Sequence, residues 1–312
     1  MKKRLLLTSL FGLTLGILPN IVSCSKSTSD DLYIEALEDD SFIYAFYYRD
    51  FDTSQLPNLY MSLNNKDWKQ VTINKENSQE ELVPICKLSK GQKVYLKGNN
   101  PNGFSKGEDS YVYFNVLDKD ENPLKYTCSG NIMRLIDGDN PPEAIPNDYC
   151  FTHLFAGTDY YEENRIVTGP QLPATKLSKE CYSYMFFDDH YLTNAPELPS
   201  IDIQEKCYAY MFSQCISLRV SPVLPSSKTA PYCYDHMFYG NSNNRFIELH
   251  ITDWDREGDF PCCFWVSFDG DHPFSEIGTF RCPKKLIPNV DDPNNFSETR
   301  VPYHWHIETF DE

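Results

Sequence analysis

The motif Cys-aromatic-x-x-Met-Phe returns at a fixed distance, and that periodicity restricts the folds open to the chain more than any other feature. The copies are Cys150-Phe-Thr-His-Leu-Phe155, Cys181-Tyr-Ser-Tyr-Met-Phe186, Cys207-Tyr-Ala-Tyr-Met-Phe212 and Cys233-Tyr-Asp-His-Met-Phe238. The last three begin 26 residues apart and the first lies 31 before the second, which places a short insertion after Phe155. Between them run Gly169-Pro-Gln-Leu-Pro173, Ala195-Pro-Glu-Leu-Pro199 and Ser221-Pro-Val-Leu-Pro225. A fifth, degraded copy begins at Cys263. A fixed period of this length means one small unit per repeat, stacked so that neighbours bury what one unit alone cannot.

Each unit is expected to hold a brief strand at the x-Pro-x-Leu-Pro stretch, with the Leu pointing inward. The Cys motif is expected to form a helical turn or two. At about 100° per residue its Cys, aromatic, Met and Phe share one face, while the second and third residues after the Cys face away. Cys150, Cys181, Cys207 and Cys233 then stand in a buried column as small apolar groups. The alternatives are disulfides, involving Cys86, Cys128, Cys215 or Cys282, and a metal site, which the missing C-x-x-C spacing disfavours. No metal and no cofactor is expected.

The run CYAYMFSQCISLRVSPVLPSSKTAPYCYDHMF resembles the BspA-like leucine-rich repeats of surface lipoproteins from host-associated bacteria. Phe212, Cys215, Ser217, Leu218, Leu224 and Pro225 carry the likeness. The coils after Phe186 and Phe238 depart from it, having lost the Cys-x-Ser step. The resemblance spans roughly residues 128 to 307 and implies adhesion or ligand binding, with no catalytic centre to carry over.

Residues 32–130 differ in texture. Short aromatic or β-branched runs such as SFIYAFYY and YVYFNV alternate with polar turns, which predicts a β-sandwich. The expected fold is therefore α+β and multidomain. An immunoglobulin-like β-sandwich (32–130) precedes a short leucine-rich-repeat solenoid (131–275) of strand-plus-helix coils, closed by a cap (276–312) carrying Phe280 and Trp305.

The chain opens MKKRLLLTSLFGLTLGILPNIVSC, a basic start, an apolar run and a polar break. This predicts an export leader over 1–23 rather than a span, which needs roughly 20 apolar residues. Ile21-Val-Ser-Cys24 resembles a lipobox, which implies acylation (palmitate or similar chains) at Cys24 and a polar tether over 24–31. The expected location is the cell envelope, lipid-anchored and outside the cytoplasm, with the membrane as one partner. A net charge of −17 argues against nucleic acid as another.

No residue pattern in the chain predicts a catalytic centre. Asp188 with Asp189, Asp253 with Asp255, and Asp137 with Asp139 read as loop carboxylates. The repeat cysteines read as buried and inert, and neither a Gly-x-Ser-x-Gly elbow nor a phosphate loop is present. The function expected is a non-catalytic surface lipoprotein that binds a host protein or another macromolecule. Glycan capture for nutrient uptake is the alternative, and an extracytoplasmic hydrolase a weaker one. The ligand-binding candidates are His153, Tyr184, Tyr210 and His236, the third residue after each Cys, whose rings are expected to line the convex side and to stack on a sugar or anchor a partner.

Overall fold

The computed structural model describes residues 30–48, 51–78, 81–158, 163–252, 278–286 and 305–311. The leader, Cys24, the copy at Cys263, and Asp253 with Asp255 lie outside the described residues.

The N-terminal region forms two sheets. The larger holds β1 (Tyr33–Ala36), β3 (Leu59–Ser62), β4 (Lys69–Gln70), β7 (Lys93–Gly98), β9 (Tyr126–Ser129) and β10 (Ile166–Thr168), in the order β10-β9-β1-β7-β3-β4. The smaller is built on β2 (Ser41–Tyr47), flanked by β5 (Asn74–Lys75), β6 (Cys86–Leu88) and β8 (Val112–Leu117). Alternation in β1 and β7 buries Ile34, Ala36, Val94 and Leu96, which share one core with Ile43, Ala45, Phe114 and Val116 of the smaller sheet. Two sheets over one core are compatible with a β-sandwich. The immunoglobulin-like pattern is not found, because the pairing is mixed: β10 runs parallel to β9 and β5 parallel to β2. β10 also comes from residues well beyond 131.

The strand-plus-helix coil is overturned as well. The described residues contain no α-helix, only the single-turn 3₁₀ segments Thr53–Gln55, Ile132–Leu135 and Lys284–Leu286. The Cys motifs are chains of turns. In the second copy Glu180, Tyr184 and Asp188 have positive φ, and in the third Lys206, Tyr210 and Gln214 do, so every fourth residue is left-handed. A right-handed helix cannot contain such residues.

The hydrogen bonds explain the preference. The N–H groups of Tyr182, Tyr184, Phe186 and Asp188 donate to the carbonyls of Cys207, Ala209, Met211 and Ser213 in the next coil. The residues between them, Ser183, Met185, Phe187 and Asp189, donate to the carbonyl three residues back. A helix would close all of these bonds on itself, whereas the turns spend half of them on the neighbouring coil. The third copy bonds to the fourth in the same way, with Tyr208, Tyr210 and Phe212 donating to Cys233, Asp235 and Met237.

The x-Pro-x-Leu-Pro stretches make only isolated parallel bridges, Asn131 to Gln171 and Leu224 to Leu249, with Thr168 to Asn194 and Val220 to Phe246 just ahead of them. Two prolines in four residues remove the donors that a continuous ladder needs. Leu172, Leu198 and Leu224 do point into the core, as expected. After the repeats, β11 (Phe246–Glu248), β12 (Thr279–Pro283) and β13 (His306–Phe310) form a parallel sheet, with Phe280 and Trp305 buried in the same core.

Inside the coils, side chains form columns. Phe151, Tyr182, Tyr208 and Tyr234 stack at 5.8–6.0 Å, and Phe155, Phe186, Phe212 and Phe238 at 5.6–5.9 Å. Cys150, Cys181, Cys207 and Cys233 are fully buried free thiols, which is the column expected. Three of the four residues that follow the aromatic depart from expectation: Thr152, Ser183 and Ala209 are buried rather than turned outward, while Asp235 is half-buried.

Candidate functional site: a stacked-ring cleft

His153, Tyr184, Tyr210 and His236 do come together, as a column of parallel rings. Successive centroids are 4.7, 4.6 and 4.6 Å apart, with planes within 5° of each other. That separation matches the roughly 4.8 Å between hydrogen-bonded strands, so the backbone spacing alone brings identical positions into ring contact. The column continues into the N-terminal region. Tyr111 stacks on His153 at 4.3 Å and Tyr48 on Tyr111 at 4.8 Å. Tyr48 follows β2 and Tyr111 precedes β8, and the Tyr48 N–H donates to the Tyr111 carbonyl, which sets their rings side by side.

Two expectations about this ladder fail. Its residues are half-buried rather than projecting, and between neighbours the ring faces are covered by one another. What reaches solvent along the middle of the column is ring edge. A sugar needs a free face to stack on, and His153, Tyr184 and Tyr210 each have both faces engaged.

One end of the column opens on a cleft of about 790 Å³. Tyr48, Tyr111, His153 and Tyr184 line it, with Phe187 beside them. Among the described residues, four carboxylates, Glu108, Asp109, Glu163 and Asp188, share the lining with His190, and no Lys or Arg does. His190 lies between two of them, Nε2 3.1 Å from Asp188 Oδ1 and Nδ1 3.5 Å from Glu163 Oε1. Glu163 also accepts from Arg165 Nε at 2.7 Å. Glu108 and Asp109, on the exposed turn before Tyr111, make no ion pair or side-chain hydrogen bond among the described residues.

His153 sits at the centre of the lining. Burial between two rings pushes its imidazole down to about 3, so it is neutral at physiological pH. A hydroxyl cluster backs the ring: Thr152 Oγ1 lies 3.0 Å from His153 Nδ1 and 2.9 Å from both the carbonyl and the Oγ of Ser183, and Ser183 Oγ donates to the Glu180 carbonyl.

The carboxylate pairs fare less well. Asp189 is fully buried, and burial, with Glu163 and Asp188 nearby, pushes its carboxyl well above the usual range. It cannot work alongside Asp188 in the cleft. Asp137 is a turn former: backbone N–H groups of Asn140 and Asp139 hold its carboxyl below the usual range, and Asp139 pairs with Lys97. Burial pushes the thiols of Cys150, Cys181 and Cys207 up, Cys150 to about 12, which leaves no thiolate there for nucleophilic chemistry.

Sequence reasoning missed Tyr48, Tyr111, Glu108, Asp109 and Glu163. Tyr48 and Tyr111 lie outside the repeat, and only the sheet brings them into register with it. A signal did exist for Glu108 and Asp109, a charged pair directly ahead of the aromatic run YVYFNV.

Compared with known proteins, the chain matches no protein-family model, no curated protein and no solved structure. The BspA-like resemblance therefore rests on the residues quoted for it.

Proposed function

We propose that the protein is a non-catalytic binding module, held at the cell envelope by acyl chains on Cys24, and that its macromolecular ligand seats in the cleft at the end of the ring column. The observation that carries this reading is the column itself. A single stack of six rings, Tyr48 to His236, ties the sheets to the coils and gives the cleft a rigid aromatic lining. A preformed lining loses little entropy when a ligand binds, which is how binding sites gain affinity. The motif likeness to BspA-like surface lipoproteins points the same way.

A protein ligand is favoured over a glycan, because glycan recognition would need the ring faces that the stack covers. The inert thiols support binding without chemistry. The anchor and the envelope location rest on the lipobox-like Ile21-Val-Ser-Cys24.

The test is binding of untethered residues 27–312 to an array of glycans and host-matrix proteins, repeated with Phe187→Arg, which fills the cleft with charged bulk. Saturable binding that Phe187→Arg abolishes, with the near-ultraviolet dichroism of the fold unchanged, is expected. Equal binding by the variant would show that the ligand sits elsewhere. In the same cells, Cys24→Ala is expected to lose acyl labelling and membrane retention, and a variant that stays in the membrane fraction sinks the anchor.

A further inference from the structure

Resting on acylation at Cys24, we infer that the tip of the β3–β4 hairpin, residues 63–69, is a second membrane contact. Leu63 and Trp68 meet the headgroup boundary there, and Lys66 and Lys69 meet lipid phosphates. The place where the tether enters the fold carries this inference.

Asp30 is six residues after Cys24, and it is fastened to the fold. Its carbonyl accepts from the Asn131 N–H at 3.3 Å and from Arg134 Nε at 3.0 Å. Asp31 pairs with Arg134 Nη2 at 3.1 Å. Even fully extended, six residues span no more than about 22 Å, so an acylated Cys24 keeps this end of the fold within that distance of the bilayer. The hairpin tip is tied to the same spot. Asn65 Nδ2 donates to Asp31 Oδ2 at 2.7 Å, so the tip stands where the tether leaves the fold and shares its reach.

What the tip presents suits a lipid surface. Leu63 is 59% exposed, yet its loop is preformed. Asn64 Oδ1 accepts from the N–H groups of Lys66 and Asp67 at 3.0 and 2.9 Å, and Asn64 Nδ2 donates to Asp67 Oδ2 at 2.7 Å. A single exposed leucine is ordinary on a protein surface. One held in a fixed loop beside a membrane tether buries its apolar area on docking at little entropic cost. Trp68 is half-buried, with Lys97 Nζ 4.7 Å from its ring centroid, and indole favours the boundary between headgroups and acyl chains.

Charge points the same way. Lys66 and Lys69 are exposed and make no ion pair among the described residues. Asp67 is the one carboxylate between them, so the tip is locally cationic on a chain whose net charge is −17. Two lysines at the membrane end complement lipid phosphates.

The experiment reconstitutes the full acylated chain in vesicles of equimolar phosphatidylcholine and phosphatidylglycerol whose acyl chains carry bromine, a contact quencher of indole. Leu63→Trp adds an indole at the tip, and Ile201→Trp adds a control at a 70% exposed position in the coils. Each is read as the difference from wild type in the vesicle-bound fraction. The Leu63→Trp indole is expected to shift to the blue and lose most of its emission, while the Ile201→Trp indole keeps its own. Lys66→Glu with Lys69→Glu, added to Leu63→Trp, should restore much of the emission.

Vesicle-bound protein with an unquenched Leu63→Trp indole overturns the contact and leaves the anchor standing. Equal quenching of both indoles overturns it too, because no one face then meets the bilayer. Quenching that survives the two lysine changes overturns the phosphate assignment. Protein that carries no acyl chains and stays off the vesicles removes the anchor, and this inference with it.

Discussion

The sheets and the coils bury polar side chains on different terms. In the sheet region Asn100 is saturated: Oδ1 accepts from the Asn58 N–H at 2.7 Å, and Nδ2 donates to the carbonyls of Asn58 and Leu135. Asn74 is held in the same way by the carbonyls of Ala45 and Val83 and the Val83 N–H. In the coils, Tyr182 Oη, Asp189 Oδ2, Ser213 Oγ and both amide atoms of Asn241 are buried without a hydrogen-bond partner among the described residues. A unique position in the sheets can be fitted to its own surroundings, as Asn74 and Asn100 are. A repeated position must take the shape its column dictates, and stacking outweighs polar satisfaction there.

Asp189 shows this most sharply. Third after the motif Phe, it occupies the place that Cys215 takes in the next coil and Asn241 in the one after, and all three N–H groups donate to the carbonyl of that Phe. Three side chains of different chemistry are buried at one station. Cys215 suits it best, being small and weakly polar, and its thiol donates to the Phe186 carbonyl at 3.0 Å.

If the contrast holds, the largest effect belongs to Asn100→Ala, which strands the Asn58 N–H and the Leu135 carbonyl. A loss of about 2–4 kcal/mol in urea unfolding is expected, from roughly 1–3 kcal/mol for each orphaned buried group. A loss under about 1 kcal/mol would erase the distinction between the two regions.

Next comes Asp189→Asn, which keeps the acceptor for the Tyr191 N–H and cannot ionise. The folded protein holds Asp189 protonated above its ordinary range, so the folded state binds more protons than the unfolded one. Wild-type stability is then lost as pH rises from about 4 toward the raised folded value, by up to about 1.4 kcal/mol per pH unit. The variant should match wild type near pH 4 and exceed it increasingly toward pH 7. Parallel stability curves across that window would mean that the carboxyl is not held protonated.

The smallest effects sharpen the comparison. Tyr182→Phe removes a hydroxyl with no partner and should be neutral or stabilising by up to about 1 kcal/mol. Tyr126→Phe, whose hydroxyl donates to Asn164 Oδ1 at 2.7 Å where the sheets meet the coils, should cost about 1 kcal/mol. Opposite signs in thermal unfolding support the contrast, and equal shifts count against it.

The sequence alone determined the columns. A period of 26 places Cys on Cys and ring on ring whatever backbone carries them, so the buried thiols, the Phe column and the juxtaposition of His153, Tyr184, Tyr210 and His236 were legible from spacing. The tertiary structure decided how the backbone does it. An apolar pattern at offsets of one, four and five fits a helix as well as a run of turns, because side-chain periodicity is blind to the sign of φ. What chose the turns was the neighbouring coil, whose carbonyls take every second N–H, and no local propensity encodes a partner 25 residues away. The same cause hid the rest of the site: Tyr48 and Tyr111 carry no repeat signature, and the pairing of β2 with β8 alone extends the column to the cleft.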